Sequence, residues 1–237
     1  MRLDVFLSQR FSLSREKSAA LIKGGKVKME GKILNKASFQ VDGIEDFIEL
    51  CELPRFVSRA GEKLYGFLQG WDLSGWCVLD VGASMGGFSQ VALLLGAKEV
   101  HCVDVGRNQL SEVLRKDTRI EVYEECDIRD FLPRDGREGY DLLLCDLSFI
   151  GIEKIFFALS KWSKNMVLLF KPQFEVGRNV KRNKKGVVCD QDAIMKALGD
   201  FRTYVDLQGY EIIREQKSIL KGKAGNEEFF LFLQRRD

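Results

Sequence analysis

The chain has 237 residues, 45% of them hydrophobic and 30% charged, with only 3 prolines. That composition suits one folded domain with a small companion and excludes bulk disorder. The formal charge of +2 conceals a segregation, because residues 1–36 hold nine Lys/Arg against three acids, a local +6 that leaves the other 201 residues at −4. Six cysteines without a CxxC pair, and a single histidine (His101) on an apolar strand, offer no ligand set for a zinc cluster. No metal is expected, and the thiols read as reduced core residues of a cytoplasmic protein. No run approaches the ~18 apolar residues of a membrane span, and the N-terminal apolar stretch is broken by charges, so neither secretion nor integral membrane association is signalled.

In chain order, Leu3, Val5, Phe6 and Leu7 open an amphipathic helix. Ser14 caps a second, REKSAALIKGG, with Ala19, Leu21 and Ile22 inward and Arg15, Lys17 and Lys23 outward. A turn at Gly24 and Gly25 leads to KVKMEG, where Val27 and Met29 alternate with Lys26, Lys28 and Glu30 as an edge strand; SFQV and DFIEL predict two more short strands. By composition these lysines either solvate a small domain or bind nucleic acid, and the lack of interleaved aromatics argues against single-strand stacking. RLDVFLSQR followed by LSREKSAALIKGGKVKMEGKIL resembles the S4-type RNA-binding module, over nearly all of residues 1–50. The resemblance implies that Arg2, Arg10, Arg15, Lys17, Lys23, Lys26 and Lys28 touch phosphates of structured RNA, giving affinity and register more than base specificity. The expected boundaries are 1–53 for this small α+β domain, 54–60 for a linker opened by Pro54, and 61–237 for the remainder.

From Trp76 onward, short apolar strands alternate with helical patterns: WCVLDV, GGFSQVALLLG, EVHCVDV, QLSEVLR, IEVYEE, IRDFL, YDLLLCD, IEKIFFALSKW and NMVLLFK. This is the pattern of an α/β domain with a mostly parallel sheet covered on both faces. After the loop 172–189 come a helix, DQDAIMKALGDFRTYVDLQ, and two strands, GYEIIREQKSI and EEFFLFLQRR. Only LKGKAGN separates those strands, too little for a crossover, so they should form an antiparallel hairpin.

The glycine-rich loop Asp80-Val81-Gly82-Ala83-Ser84-Met85-Gly86-Gly87-Phe88 follows the first of these strands and opens a helix. It is neither GxGxxG nor a GKS/T loop, which weakens the dinucleotide and ATPase readings. Three acids stand at successive strand ends: Asp80, placed for an ammonium group, Asp104, placed for two ribose hydroxyls, and Asp127, placed for an adenine amino group. Together they suit S-adenosyl-L-methionine, with Gly82, Ala83, Ser84, Gly86, Gly87, Phe88, Val105, Ile128 and Asp146 completing the expected contacts.

PRFVSRAGEKL, LDVGASMGGFSQ, VDVGRNQL, CDLSFI, LLFKPQFEVGR, KGVVCD and GNEEFFLFL resemble the two-domain, TlyA-like ribosomal RNA 2'-O-methyltransferases, often labelled haemolysin A. The likeness to FtsJ-type ribose methyltransferases is more distant. With the S4-like start it covers practically the entire chain. It implies a class I methyltransferase fold, a seven-stranded sheet ending in an antiparallel hairpin, and methyl transfer to a ribose 2'-hydroxyl of ribosomal RNA within ribosomal subunits, cytidine being the expected target. It also implies a Lys-Asp-Lys-Glu group at Lys63, Asp146, Lys171 and Glu228, the last chosen over Glu227 because it directly precedes the aromatic-rich strand. Lys171 is expected to activate the hydroxyl, Lys63 to assist, and the two acids to orient the amines. Met85 stands where threonine is frequent in the family, and Arg107-Asn108 where smaller or aromatic residues are common. Arg59 and the loop cations Arg178, Lys181, Arg182, Lys184 and Lys185 are expected to grip RNA, with Lys217, Lys221 and Lys223 extending the surface. A monomer or weak dimer is anticipated. The alternatives are a non-catalytic RNA-binding or ribosome-assembly protein and, from the haemolysin label, a membrane-lytic protein.

Overall fold

A computed structural model describes residues 1–11, 13–50, 56–177 and 179–236. The first domain packs α1 (Leu3–Arg10) and α2 (Arg15–Lys23) on a three-stranded antiparallel sheet of β1 (Val27–Met29), β2 (Lys32–Ile33) and β3 (Ile48–Leu50). Ser14 caps α2, its Oγ accepting from Lys17 N at 3.1 Å. Leu3, Leu7, Ile22, Val27 and Val41 are fully buried and form the small core. Two expectations need correction. β1 is the central strand rather than an edge, because Ile48–Leu50 returns to pair along its open side. SFQV forms no strand; only Gln40 bridges, to Arg2, while Val41 turns inward.

The second domain begins with α3 (Arg59–Phe67), which starts within the segment read as linker; the earlier linker residues, Pro54 and Arg55, lie outside the described residues. It continues with β4 (Cys77–Val81), α4 (Gly87–Leu94), β5 (Glu99–Val103), α5 (Glu112–Arg115), β6 (Ile120–Tyr123), β7 (Leu142–Cys145), α6 (Glu153–Ser160) and β8 (Asn165–Phe170). Then follow α7 (Pro172–Glu175), α8 (Gln191–Leu207), β9 (Tyr210–Lys217) and β10 (Phe229–Arg235). IRDFL is a turn, not a helix: Asp130 N bonds back to Asp127 O at 2.9 Å, the Arg129 side chain folds onto Asp127, and Pro133 follows.

The strand order is β6-β5-β4-β7-β8-β10-β9, with β4 to β8 parallel and the last two strands antiparallel. Residues alternate between two cores, as a sheet buried on both faces requires. Leu79, Val81, Leu143 and Leu168 face α6 and α8, while Val78, Leu142, Leu144 and Val167 face α3 and α4. The starts of α3 and α4 cross so closely that a Cβ on Gly87 would lie 2.1 Å from Ser58 Oγ and 2.8 Å from Gly61 N. Only glycine admits that crossing, and it ties α3 to the loop preceding α4. Among the described residues no helix is long and apolar enough to cross a membrane.

Candidate active site

Two elements with matched faces bring the first ion pair together. Lys63 and Phe67 lie one turn apart on α3, and Glu228 and Phe230 lie two residues apart along the strand that becomes β10. Phe67 stacks on Phe230 with ring centroids 4.9 Å apart and planes at 17°, and Lys63 Nζ donates to Glu228 Oε2 at 2.6 Å. Both charged groups are buried, at 8% and 3% exposure, so each needs the other. Glu227 points the opposite way, to Lys217, at 2.5 Å.

The second pair stands at the carboxyl ends of parallel strands, the edge where such sheets bind ligands. Asp146 follows β7 and Lys171 follows β8; Lys171 Nζ lies 2.6 Å from Asp146 Oδ1, a contact of charge without hydrogen-bond alignment, and donates to Ser148 Oγ at 3.0 Å. The register Phe229↔Phe170 sets Glu228 opposite Lys171 just past the ladder, so the two pairs are neighbours. Lys63, Asp146, Ser148 and Lys171 line one cleft of about 260 Å³, whose other wall is the Gly82–Phe88 loop. Ser148 is the residue that sequence reasoning passed over, although it stands two positions after Asp146.

The loop is built for close approach. Gly82 has φ +81°, and a Cβ there would lie 2.8 Å from Asp146 O. Gly82, Ala83, Ser84 and Phe88 line the cleft, while Gly86, at φ +85°, turns the chain into α4 and Gly87 begins it. Asp104 stands across from the loop, its Oδ2 accepting from Ser84 N at 2.8 Å and its Oδ1 from Gly106 N at 2.7 Å, with further lone pairs for a ligand's hydroxyls. Met85 joins the lining and packs against the core, and Arg107 lies 3.8 Å from Glu125 at the surface.

Asp80 is placed differently from the contact expected of it. It is 0% exposed and lies behind the loop, where Oδ2 accepts from Ser89 Oγ at 2.5 Å and Oδ1 has no hydrogen-bond partner. Burial pushes its pKa up to about 7, against the opposing Ser89 hydrogen bond, and the charge of Asp146 adds to the rise. A buried carboxyl with one unmet oxygen calls for a proton or a nearby cation. Asp127 is held bidentately by Arg129, at 2.8 and 2.6 Å, which keeps its pKa down at about 2. Val105 is 69% exposed beside the site, and Ile128 is buried in the core with Phe131 rather than lining the cleft.

The cations expected to meet RNA divide into two groups. Arg10, Lys23, Lys28, Lys181, Lys184 and Lys185 are exposed or half-exposed. Others already have partners: Arg2 and Arg15 share Asp4, at 2.9 and 3.1 Å, Lys17 pairs with Glu62, and Arg59 donates to Glu16 at 2.7 Å. Arg2, then burial working against it, then Arg15 set the Asp4 carboxyl, whose pKa falls to about 2. Lys26 also has a partner. Arg182 is spent inside its own loop, its guanidinium donating to the carbonyls of Val180 at 3.1 Å and Gln173 at 3.3 Å. Arg178 lies outside the described residues.

Comparison with known proteins matches residues 56–235 to the FtsJ-like methyltransferase family and residues 1–48 to the S4 domain. A curated relative from Campylobacter jejuni, the 23S rRNA (cytidine-2'-O)-methyltransferase TlyA, is 38% identical over 98% of each chain. The 16S/23S rRNA (cytidine-2'-O)-methyltransferase TlyA of Mycobacterium tuberculosis is 34% identical over 98% of this chain and 89% of its own. Hemolysin A of Brachyspira hyodysenteriae is 35% identical over 97% of this chain and 98% of its own. A solved haemolysin-labelled structure from Streptococcus thermophilus superposes with a TM-score of 0.78 at 33% identity, covering 100% of this chain and 89% of the other.

Proposed function

The chain belongs to the FtsJ-like methyltransferase family and carries an S4 domain, and from that premise we propose that it methylates a ribose 2'-hydroxyl of ribosomal RNA, on a cytidine, using S-adenosylmethionine. The observation that carries this reading is the convergence of two lysine–carboxylate pairs, Lys63–Glu228 and Lys171–Asp146, at one cleft under the Gly82 loop. The relatives named for cytidine 2'-O-methylation support the choice of nucleotide.

The donor residues present fit the cofactor. Asp104 would hold the ribose hydroxyls, the backbone of Gly82–Phe88 would cradle the amino-acid end, and Asp80 would favour the ammonium through its charge from behind the loop. When bound, S-adenosylmethionine supplies a methyl group on a sulfonium leaving group. The protein's part is to aim a barely acidic hydroxyl at that methyl. Lys171 Nζ is held by its hydrogen bond to Ser148 Oγ and by the charge of Asp146 2.6 Å away, which fixes the amine where the ribose oxygen would lie. Lys171 takes the proton of the hydroxyl as its oxygen attacks, and Lys63, fixed by Glu228, places its positive charge where the oxygen becomes negative.

The test is to incubate the protein with labelled S-adenosylmethionine and each ribosomal subunit separately, then map the labelled nucleotide. Label at a ribose of one or a few cytidines is expected. Cofactor binding without transfer to any RNA would leave an RNA-binding or assembly protein as the better reading.

A further inference from the structure

The cleft is not walled by the methyltransferase domain alone. Ser14 and Glu16, from the cap and first turn of α2, line it with Lys63 and Lys171, and Lys223 stands at the same rim. The Glu16 carboxylate is gripped from two sides: Oε1 accepts from Arg59 Nη1 at 2.7 Å, and Oε2 lies 3.6 Å from Lys223 Nζ. Arg59 uses its second terminal nitrogen on the Lys221 carbonyl at 2.7 Å, which ties α3 to the loop between β9 and β10. These cations come from different segments, and each lies near a catalytic partner in sequence. Arg59 is one turn before Lys63, and Lys223 lies in the loop that leads to Glu228.

One guanidinium nitrogen and an ammonium set on a single carboxylate, at the rim of the cleft, offer what a phosphodiester oxygen requires, a charged hydrogen-bond donor and a compensating cation. We propose that Arg59 and Lys223 form a subsite for a backbone phosphate of the RNA substrate, and that Glu16 of the N-terminal domain occupies it as an internal carboxylate until RNA displaces it. The inference rests on the RNA-methyltransferase reading and adds the regulation of its cleft. The exchange is inexpensive because the tenant is held at the surface. Arg59, Glu16 and Lys223 keep 31%, 34% and 81% of their side-chain exposure, so solvent and salt already screen the pairs that must break. Lys17 with Glu62 is less exposed on the lysine side, at 15%, and can keep α2 against α3 while Glu16 swings away.

The experiment measures binding of in-vitro transcribed 23S rRNA to the full chain at several salt concentrations, for wild type, Glu16→Gln, Arg59→Ala/Lys223→Ala and the triple variant, each checked for native melting. Glu16→Gln should tighten binding about two- to fivefold, the equilibrium weight of a partly exposed ion pair that RNA no longer has to break. The Arg59→Ala/Lys223→Ala variant should bind more weakly, with a salt slope reduced by about 1. In that background Glu16→Gln should have no further effect. Two results would overturn the proposal: unchanged or weaker binding by Glu16→Gln, or equal tightening when Arg59 and Lys223 are absent, since the latter is a general charge effect. The methyl-transfer assay is run in parallel on the wild type. If it shows no transfer while the cycle behaves as described, the subsite stands and the catalytic reading falls.

Discussion

Asp80→Asn isolates the cost of a buried carboxyl. In the folded protein the Asp80 pKa is about 7, against 3.8 for the unfolded chain, because burial disfavours the charged form. Between about pH 4 and pH 7 the folded state therefore keeps a proton that the unfolded state has released. The stability this confers is complete below pH 3.8 and is lost as pH rises through about 7. A gap of about three pH units corresponds to an upper limit of about 4 kcal/mol. Asparagine has the same shape, can still bond Ser89, and never ionises. The variant should thus match the wild type near pH 4 and gain on it with rising pH, levelling off above pH 7 at up to about 4 kcal/mol. Glu175, whose pKa burial also raises to about 7, is common to both proteins and cancels in the difference. The assay is urea unfolding from pH 4.5 to 8.5, read as midpoints at constant m-value. Stability curves that run parallel across this range would refute the reasoning. With S-adenosylmethionine in excess at pH 8, the wild type should gain more stability than the variant, because the bound ammonium favours a carboxylate that the amide side chain cannot supply.

Gly82→Ala combines a left-handed φ of +81° with a Cβ 2.8 Å from Asp146 O; it should cost about 1–3 kcal/mol in thermal or urea unfolding and weaken cofactor binding by titration calorimetry. Lys171→Ala should abolish methyl transfer while circular dichroism and RNA binding remain near wild type, and a variant that still turns over normally would remove Lys171 from the chemistry. Asp190 caps α8 by accepting from Ala193 N at 2.9 Å, so Asp190→Ala should lower stability by about 1 kcal/mol with little effect on cofactor affinity.

The alternation of strands and helices from Trp76 onward was legible because the parallel strands are short, mostly apolar segments and the long helices have their own periodicity. The terminal hairpin was legible from the brevity of its connection. What escaped depended on partners distant in the chain. β1 reads as an edge until Ile48–Leu50 returns to its open side, and no local pattern announces that return. Asp80 stands at the strand end as expected, but the sequence does not say that its side chain turns under the loop to Ser89. The bidentate partner of Asp127, Arg129, is the exception, only two residues away and visible in the sequence. Glu16 with Arg59 belongs to the contact between domains, which neither domain's own pattern encodes.

The two adjacent acids before β10 show how a pleat assigns work. Glu227 and Glu228 are chemically identical, yet one meets Lys217 in the open and the other is enclosed with Lys63. Parity along the strand makes the distinction, and the unbroken pairing of β10 with β8 from Phe229↔Phe170 to Gln234↔Asn165 holds that parity in place. A spare carboxylate one residue away is therefore no backup: the backbone would have to slip by one position, which would also turn Phe230 off Phe67 and carry Leu231 and Leu233 out of the opposite core. An apparent redundancy in the text of the chain is none in space.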